Sequence, residues 1–198
     1  MTEKIIRCTG RNFPARATGG CCERETSNLT SEEVSRSQYT IVDVAEDMLD
    51  NDKLVHLREL TDFLISIKLT PRDTKSGGTW VVKYKNKSVC HIRLNGNEHS
   101  WNISFSHFTR EKWFVDYDKY FTDNELLKFI SDNFHSAPSP NPNCIKRKCG
   151  GMSNKTIFGN RYEALCACVG CRIENPSGAE LKNIKKLVNI IKQYISDL

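Results

Sequence analysis

With 198 residues, 38% of them hydrophobic and 27% charged, the chain can bury a core of its own and has the composition of neither a disordered nor a membrane protein. No apolar run approaches the roughly 18 residues of a membrane span, and the opening MTEKIIRCTGRNFPARATGG lacks the apolar stretch of a secretory signal, so the expected setting is the cytoplasm. Nine cysteines and a net charge of +5 complete the frame: an odd thiol count in a reducing compartment argues against a disulfide framework, and a charge excess of this size serves solubility as readily as it serves an anionic partner.

Residues 1–40 mix Gly, Ser, Thr, Arg and Glu without apolar periodicity, and they read as an irregular N-terminal arm ahead of a single domain over residues 41–198. Cys8 and the adjacent Cys21 and Cys22 read as free thiols, because sequence neighbours cannot readily serve one tetrahedral metal. From Val44 the pattern turns helical, predicting a helical segment around residues 43–68. Its stripe is Leu57, Leu60, Leu64 and Ile67, Asp50-Asn51-Asp52 breaks and caps it, and Pro71 ends it. The turn at Ser76-Gly77-Gly78 leads to TWVVKYK, where Trp80, Val82 and Tyr84 alternate with Val81, Lys83 and Lys85. SVCHIRL follows an Asn86-Lys87 turn, and SWNISF follows Asn95-Gly96. This is an antiparallel meander with an aromatic face. FSHFTREKWFVDYDKYF is read as continuing the sheet, with Asp116 and Asp118 on a solvated strand edge.

Thr122 and Glu125 have the spacing of a capping box, and Leu126, Phe129, Ile130 and Phe134 give the helix after it an apolar stripe. SAPSPNP, residues 136–142, must be a loop. KTIF and RYEA flank Gly159-Asn160, a dipeptide suited to a two-residue hairpin turn. A second box, Ser177 with Glu180, opens a closing helix lined by Leu181, Ile184, Leu187, Val188, Ile191, Tyr194, Ile195 and Leu198, with Lys182, Lys185, Lys186 and Lys192 on its other side. Together the elements predict an α+β fold: an antiparallel sheet made of meander plus hairpin, with helices packed on one face.

A Cys-rich segment spans residues 144–171. Cys144 and Cys149 flank Lys146, Arg147 and Lys148, and CACVGC carries Cys166, Cys168 and Cys171. Structural zinc takes four ligands delivered as two short pairs, and the hairpin between the pairs brings Cys144, Cys149, Cys168 and Cys171 into one candidate set. Four thiolates leave about −2 on a zinc centre, which the three cations inside the first pair offset. Two alternatives stay open: free thiols packed in a core, and a redox pair Cys168/Cys171, although no helix begins there to activate a thiol. The histidines show no metal or nucleophile spacing, and His99 and His107 are expected to be exposed or satisfied.

The aromatic set Trp80, Tyr84, Trp101, Phe105, Trp113, Phe114, Tyr117 and Tyr120 is either sheet core or the wall of a concave face. In the second case Trp80, Tyr84, Trp101 and Trp113 are the candidate ligand-binding residues. Lys83, Lys85, Lys87 and Arg93, interleaved with the aromatics, allow a nucleic-acid surface instead. WVVKYKNKSVCHIRL and the closing KTIFGNRYEALC and IENPSGAELKNIKKLV resemble stretches of small, uncharacterised bacterial α+β proteins, over roughly residues 79–198. The resemblance implies a fold class and a bacterial setting, and it supplies no catalytic residue. The expected protein is a module that binds a small ligand or a partner and has a zinc-fastened edge. A thiol enzyme using Cys168 or Cys171 and a basic nucleic-acid-binding protein are the alternatives.

Overall fold

A computed structural model describes residues 39–74, 78–110, 114–134, 152–166 and 170–198. Nearly all of the expected arm, the 136–142 loop, Trp113, Cys144, Cys149 and Cys168 lie outside these described residues.

The first helix, α1 (Ile41–Glu46), opens on a reciprocal cap. Thr40 Oγ1 accepts from Asp43 N, and Asp43 Oδ2 accepts from Thr40 N at 2.7 Å, so two amide donors that a helix start leaves over are satisfied. The expected break follows, and α2 (Asn51–Ser66) begins after Asp50. The Asp50 carboxylate holds Lys53 at 3.0 Å and caps no amide. Leu54, Leu57, Leu60 and Leu64 form the buried stripe, each contributing about 1.5–3 kcal/mol when fully buried. Lys68, at φ 61°, ends the helix in a left-handed turn.

Five strands build one antiparallel sheet: β1 (Pro71–Asp73), β2 (Thr79–Tyr84), β3 (Lys87–Asn95), β4 (Ser100–Phe105) and, beyond a long excursion, a strand at Cys171–Glu174. The meander is as the alternation predicts, but its turn lies one residue earlier. Lys85 (φ 45°) and Asn86 (φ 64°) are the central pair, and Tyr84 faces Lys87. A bulge leaves Val89 without an opposite residue, since Val82 pairs with Cys90 and Lys83 with Ser88. That extra residue is why neighbouring Val89 and Cys90 are both buried.

The sheet stops at Phe105. The aromatic stretch after it forms a short helix, α3 (His107–Arg110), and a 3-10 turn over Tyr117–Tyr120. Asp116 takes φ 55° and precedes that turn, so the two aspartates do not share a strand edge. Helix α4 (Asn124–Asp132) starts one residue later than the Thr122 box implies: Asp123 is the cap, accepting from Glu125 N and Leu126 N. The hairpin of β5 (Met152–Ile157) and β6 (Asn160–Cys166) makes a two-stranded sheet of its own. The place beside β4 goes to β7, the strand Cys171–Glu174, which the sequence patterns did not indicate. Helix α5 (Gly178–Asp197) keeps the Ser177–Glu180 box and buries every expected position except Leu198, which is 63% exposed.

Helices cover one face of the sheet. Trp80, Val82, Cys90, Ile92, Leu94, Trp101, Ile103, Phe105, Cys171 and Ile173 point into a core shared with α2, α4 and α5, and α5 packs against β3, α2 and α4. A second group of rings, Phe108, Phe114, Tyr117, Phe121, Phe134 and Phe158, meets edge to face where α3, the 3-10 turn and the β5–β6 hairpin converge. No helix among the described residues is long and apolar enough to cross a membrane.

Candidate functional site

Of the four aromatic residues expected to hold a ligand, two are core. Trp80 is 4% exposed and Trp101 is fully buried, because the alternation that places them on one face of the meander places them on the face the helices cover. Asn175 fixes Trp101 from both sides, its Oδ1 accepting from Trp101 N at 2.9 Å and its N donating to Trp101 O at 2.8 Å. Trp113 lies outside the described residues. Among the three described, Tyr84 alone reaches the surface, at the end of β2. There it lines an open depression with Asn189, Ile190, Lys192, Gln193 and Ser196. Ser196 Oγ donates to its phenol oxygen at 3.4 Å, and Lys192 and Lys85 place ammonium groups 5.3 and 5.8 Å from its ring. The serine first, then the two cations, hold the phenol below its ordinary pKa. Both lysines are engaged with backbone, Lys192 donating to Ile67 O at 2.8 Å and Lys85 to Ser196 O at 3.3 Å. They close the C-terminal ends of α2 and α5.

Cys171 is the one member of the proposed zinc quartet within the described residues. It faces Phe105 across the β4–β7 ladder and is fully buried; burial pushes its thiol pKa well up, as it does for Cys90. A nucleophilic thiol needs the opposite environment, accessible and electropositive. A metal role for Cys171 would have to draw its partners from Cys144, Cys149 and Cys168, because no group of three or more His, Cys, Asp or Glu converges among the described residues. The histidines expected to be satisfied are so: His99 Nδ1 meets Met48 O at 3.0 Å, and buried His107 places Nε2 on Ser88 O and its ring edge against Phe114.

The side of the sheet opposite the helices has a different chemistry. Cross-strand register places Arg72, Val81, His91, Ser104 and Arg172 in one continuous row over all five strands. The next row holds Thr79, Arg93, Asn102 and Glu174, and Lys83, two residues beyond Val81, shares the face. Arg72, Lys83 and Arg93 are exposed. Glu174 is the one carboxylate on this face among the described residues, and it pairs with Arg172 at 2.7 Å, the two side chains being 46% and 30% exposed. On the helices, by contrast, Lys53, Arg58, Lys128, Lys185 and Lys186 each pair with a carboxylate. Arg72, Lys83 and Arg93 have no carboxylate within ion-pair distance among the described residues.

Sequence reasoning grouped Lys83, Lys85, Lys87 and Arg93 as basic residues among aromatics. The fold separates them, since Lys85 sits in the turn and Lys87 opposes Tyr84 on the helix side. Period-two alternation was signal enough to pair Lys83 with Arg93. Arg72 and Arg172 were missed because their strands are too short to announce themselves. Comparison with protein-family models, with curated proteins and with solved structures finds no match to this chain.

Proposed function

We propose that this protein is a binding module whose working surface is the outer face of the five-stranded sheet and whose partner is polyanionic. The observation that carries the reading is the unbalanced charge of that face: beside the Arg172–Glu174 pair, Arg72, Lys83 and Arg93 are exposed with no carboxylate within ion-pair distance among the described residues. Exposed cations without counter-charges gain from an incoming anion, because they surrender no existing ion pair when it arrives. Phosphate and carboxylate also match the planar, two-pronged donor set of arginine, which supplies two of these three cations. The small-ligand alternative loses support from the burial of Trp80 and Trp101.

Heparin-column retention tests the reading, with the triple variant Arg72→Glu/Lys83→Glu/Arg93→Glu as control. The wild type is expected to elute well above the salt of the variant while both give the same circular dichroism spectrum. Equal elution of two folded proteins would remove the outer face from consideration.

A further inference from the structure

We infer that the depression beside Tyr84, where the end of β2 meets the last turns of α5, is a second binding site, and that it takes the phosphate group of a small molecule. It lies on the helix side of the sheet and does not depend on the outer-face reading above.

Two elements build the site. Tyr84 closes β2 and Lys85 takes the turn after it, while Asn189, Lys192, Gln193 and Ser196 line the depression from α5, at the intervals of three and four residues that stack side chains along one helix face. The depression has a volume of about 550 Å³, within the range of small-ligand sites. Ser196 is the junction between the elements. Its Oγ donates to the Tyr84 phenol oxygen at 3.4 Å, and its carbonyl accepts from Lys85 Nζ at 3.3 Å. With Lys192 Nζ on the same ring as Lys85 Nζ, two ammonium groups and two hydroxyls gather around Tyr84.

The bonds these lysines already make leave their charge in place. Lys192 donates to Ile67 O and Lys85 to Ser196 O; a carbonyl has no net charge and takes one of the three protons that an ammonium offers. Neither lysine has a carboxylate within ion-pair distance among the described residues. Asp197, the acidic neighbour of Ser196, receives Tyr120 Oη at 2.9 Å and Gln193 Nε2 at 2.8 Å. The carbonyls also hold the two cations in position, so an arriving anion spends little on ordering them. The phenol reports the same field: the Ser196 hydrogen bond, and after it the two lysines, favours its anionic form, which shows that negative charge is stabilised at this spot.

Two uncompensated positive charges match the charge of about −2 on a phosphate monoester, whose three terminal oxygens suit two ammonium groups and a hydroxyl. A carboxylate supplies half that charge. Half-buried Ile190, on the wall of the depression, gives the organic remainder of an ester an apolar contact.

Nitrogen–proton correlation NMR of the full chain, at constant ionic strength, tests this with inorganic phosphate, phenyl phosphate and benzoate as titrants. Both phosphates are expected to shift the amides of Lys85, Asn189, Lys192 and Ser196 saturably. Lys192→Gln, which keeps a donor for Ile67 O and removes the charge, should weaken binding about tenfold. The same loss is expected of Lys85→Gln, whose exposed turn position separates binding from folding. Tighter binding of phenyl phosphate would identify an ester as the ligand, and equal or weaker binding would identify free phosphate. Benzoate binding as tightly as phenyl phosphate would overturn the phosphate assignment. Shifts that never saturate, or that persist unchanged in folded Lys85→Gln and Lys192→Gln, would overturn the site.

Discussion

Gly78 and Gly159 both take positive φ, 74° and 75°, yet only one has room for a side chain. A Cβ at Gly78 would stand 2.8 Å from Leu94 O, whereas one at Gly159 would meet nothing within 4 Å. Gly78→Ala therefore combines left-handed strain with a backbone collision, at a residue whose own carbonyl accepts from Leu94 N at 2.7 Å. Gly159→Ala bears the strain alone, about 1 kcal/mol. Urea denaturation should rank the two variants in that order, with Gly78→Ala losing at least about 2 kcal/mol. The buried thiols give a second residue-scale expectation. With its pKa raised by burial, each stays protonated in the folded chain at a pH where an unfolded cysteine ionises. Stability from these groups is complete below the unfolded thiol pKa and declines as pH rises past it. Iodoacetamide labelling read by peptide mass spectrometry should spare Cys90 and Cys171 in native protein at mildly alkaline pH and reach both in denaturant. Native labelling of Cys171 would restore it as a reactive thiol.

Among the elements, the closing helix was legible in full because its signals are local and agree: a box at Ser177–Glu180 and a long 3.6-residue stripe. Ser177→Ala should cost about 1 kcal/mol in thermal or chemical unfolding, since Ser177 Oγ receives Glu180 N. A loss below a few tenths would mean that the Glu180 carboxylate, 2.8 Å from Ser177 N, serves the start of the helix alone. Elsewhere local signals were present but slipped by a residue. Thr122 and Glu125 have the spacing of a box, yet Asp123 wins the cap, its other carboxylate oxygen held by Lys186 of α5 at 2.7 Å; that lysine first, then the Leu126 amide, lowers its pKa. Gly159-Asn160 looks like a turn, but Phe158 and Gly159 take the two positive-φ positions. Phe158 tolerates that conformation while its ring packs against Phe108, Tyr117 and Phe121, a tertiary compensation that no dipeptide preference encodes. Both departures arise from partners distant in the chain.

At the scale of the molecule, the fold class followed from periodicity, and the candidate surface did not. Alternation says which residues share a face of one strand; it says nothing of which strands are neighbours. β1 is three residues long and contains a proline, and β7 is four residues long, so neither carries a pattern from which to read a strand. Only their pairing with β2 and β4 brings Arg72 and Arg172 into line with His91 and alongside Arg93. The aromatic residues posed the reverse problem. Their positions were evident, and whether they faced a ligand or a core depended on where the helices lay.

The two flanks of the sheet have a consequence for how copies of the chain meet. One flank is β1, where Pro71 lacks an amide and Arg72 and Asp73 are charged and exposed. At the other flank, Arg172 N donates to Asn133 O at 3.0 Å and Phe134 bridges Cys171, so the first part of β7 is already occupied. Neither border offers, among the described residues, the long, flat, apolar template on which strands from other molecules accumulate, so the sheet is guarded against edge-to-edge growth at both flanks.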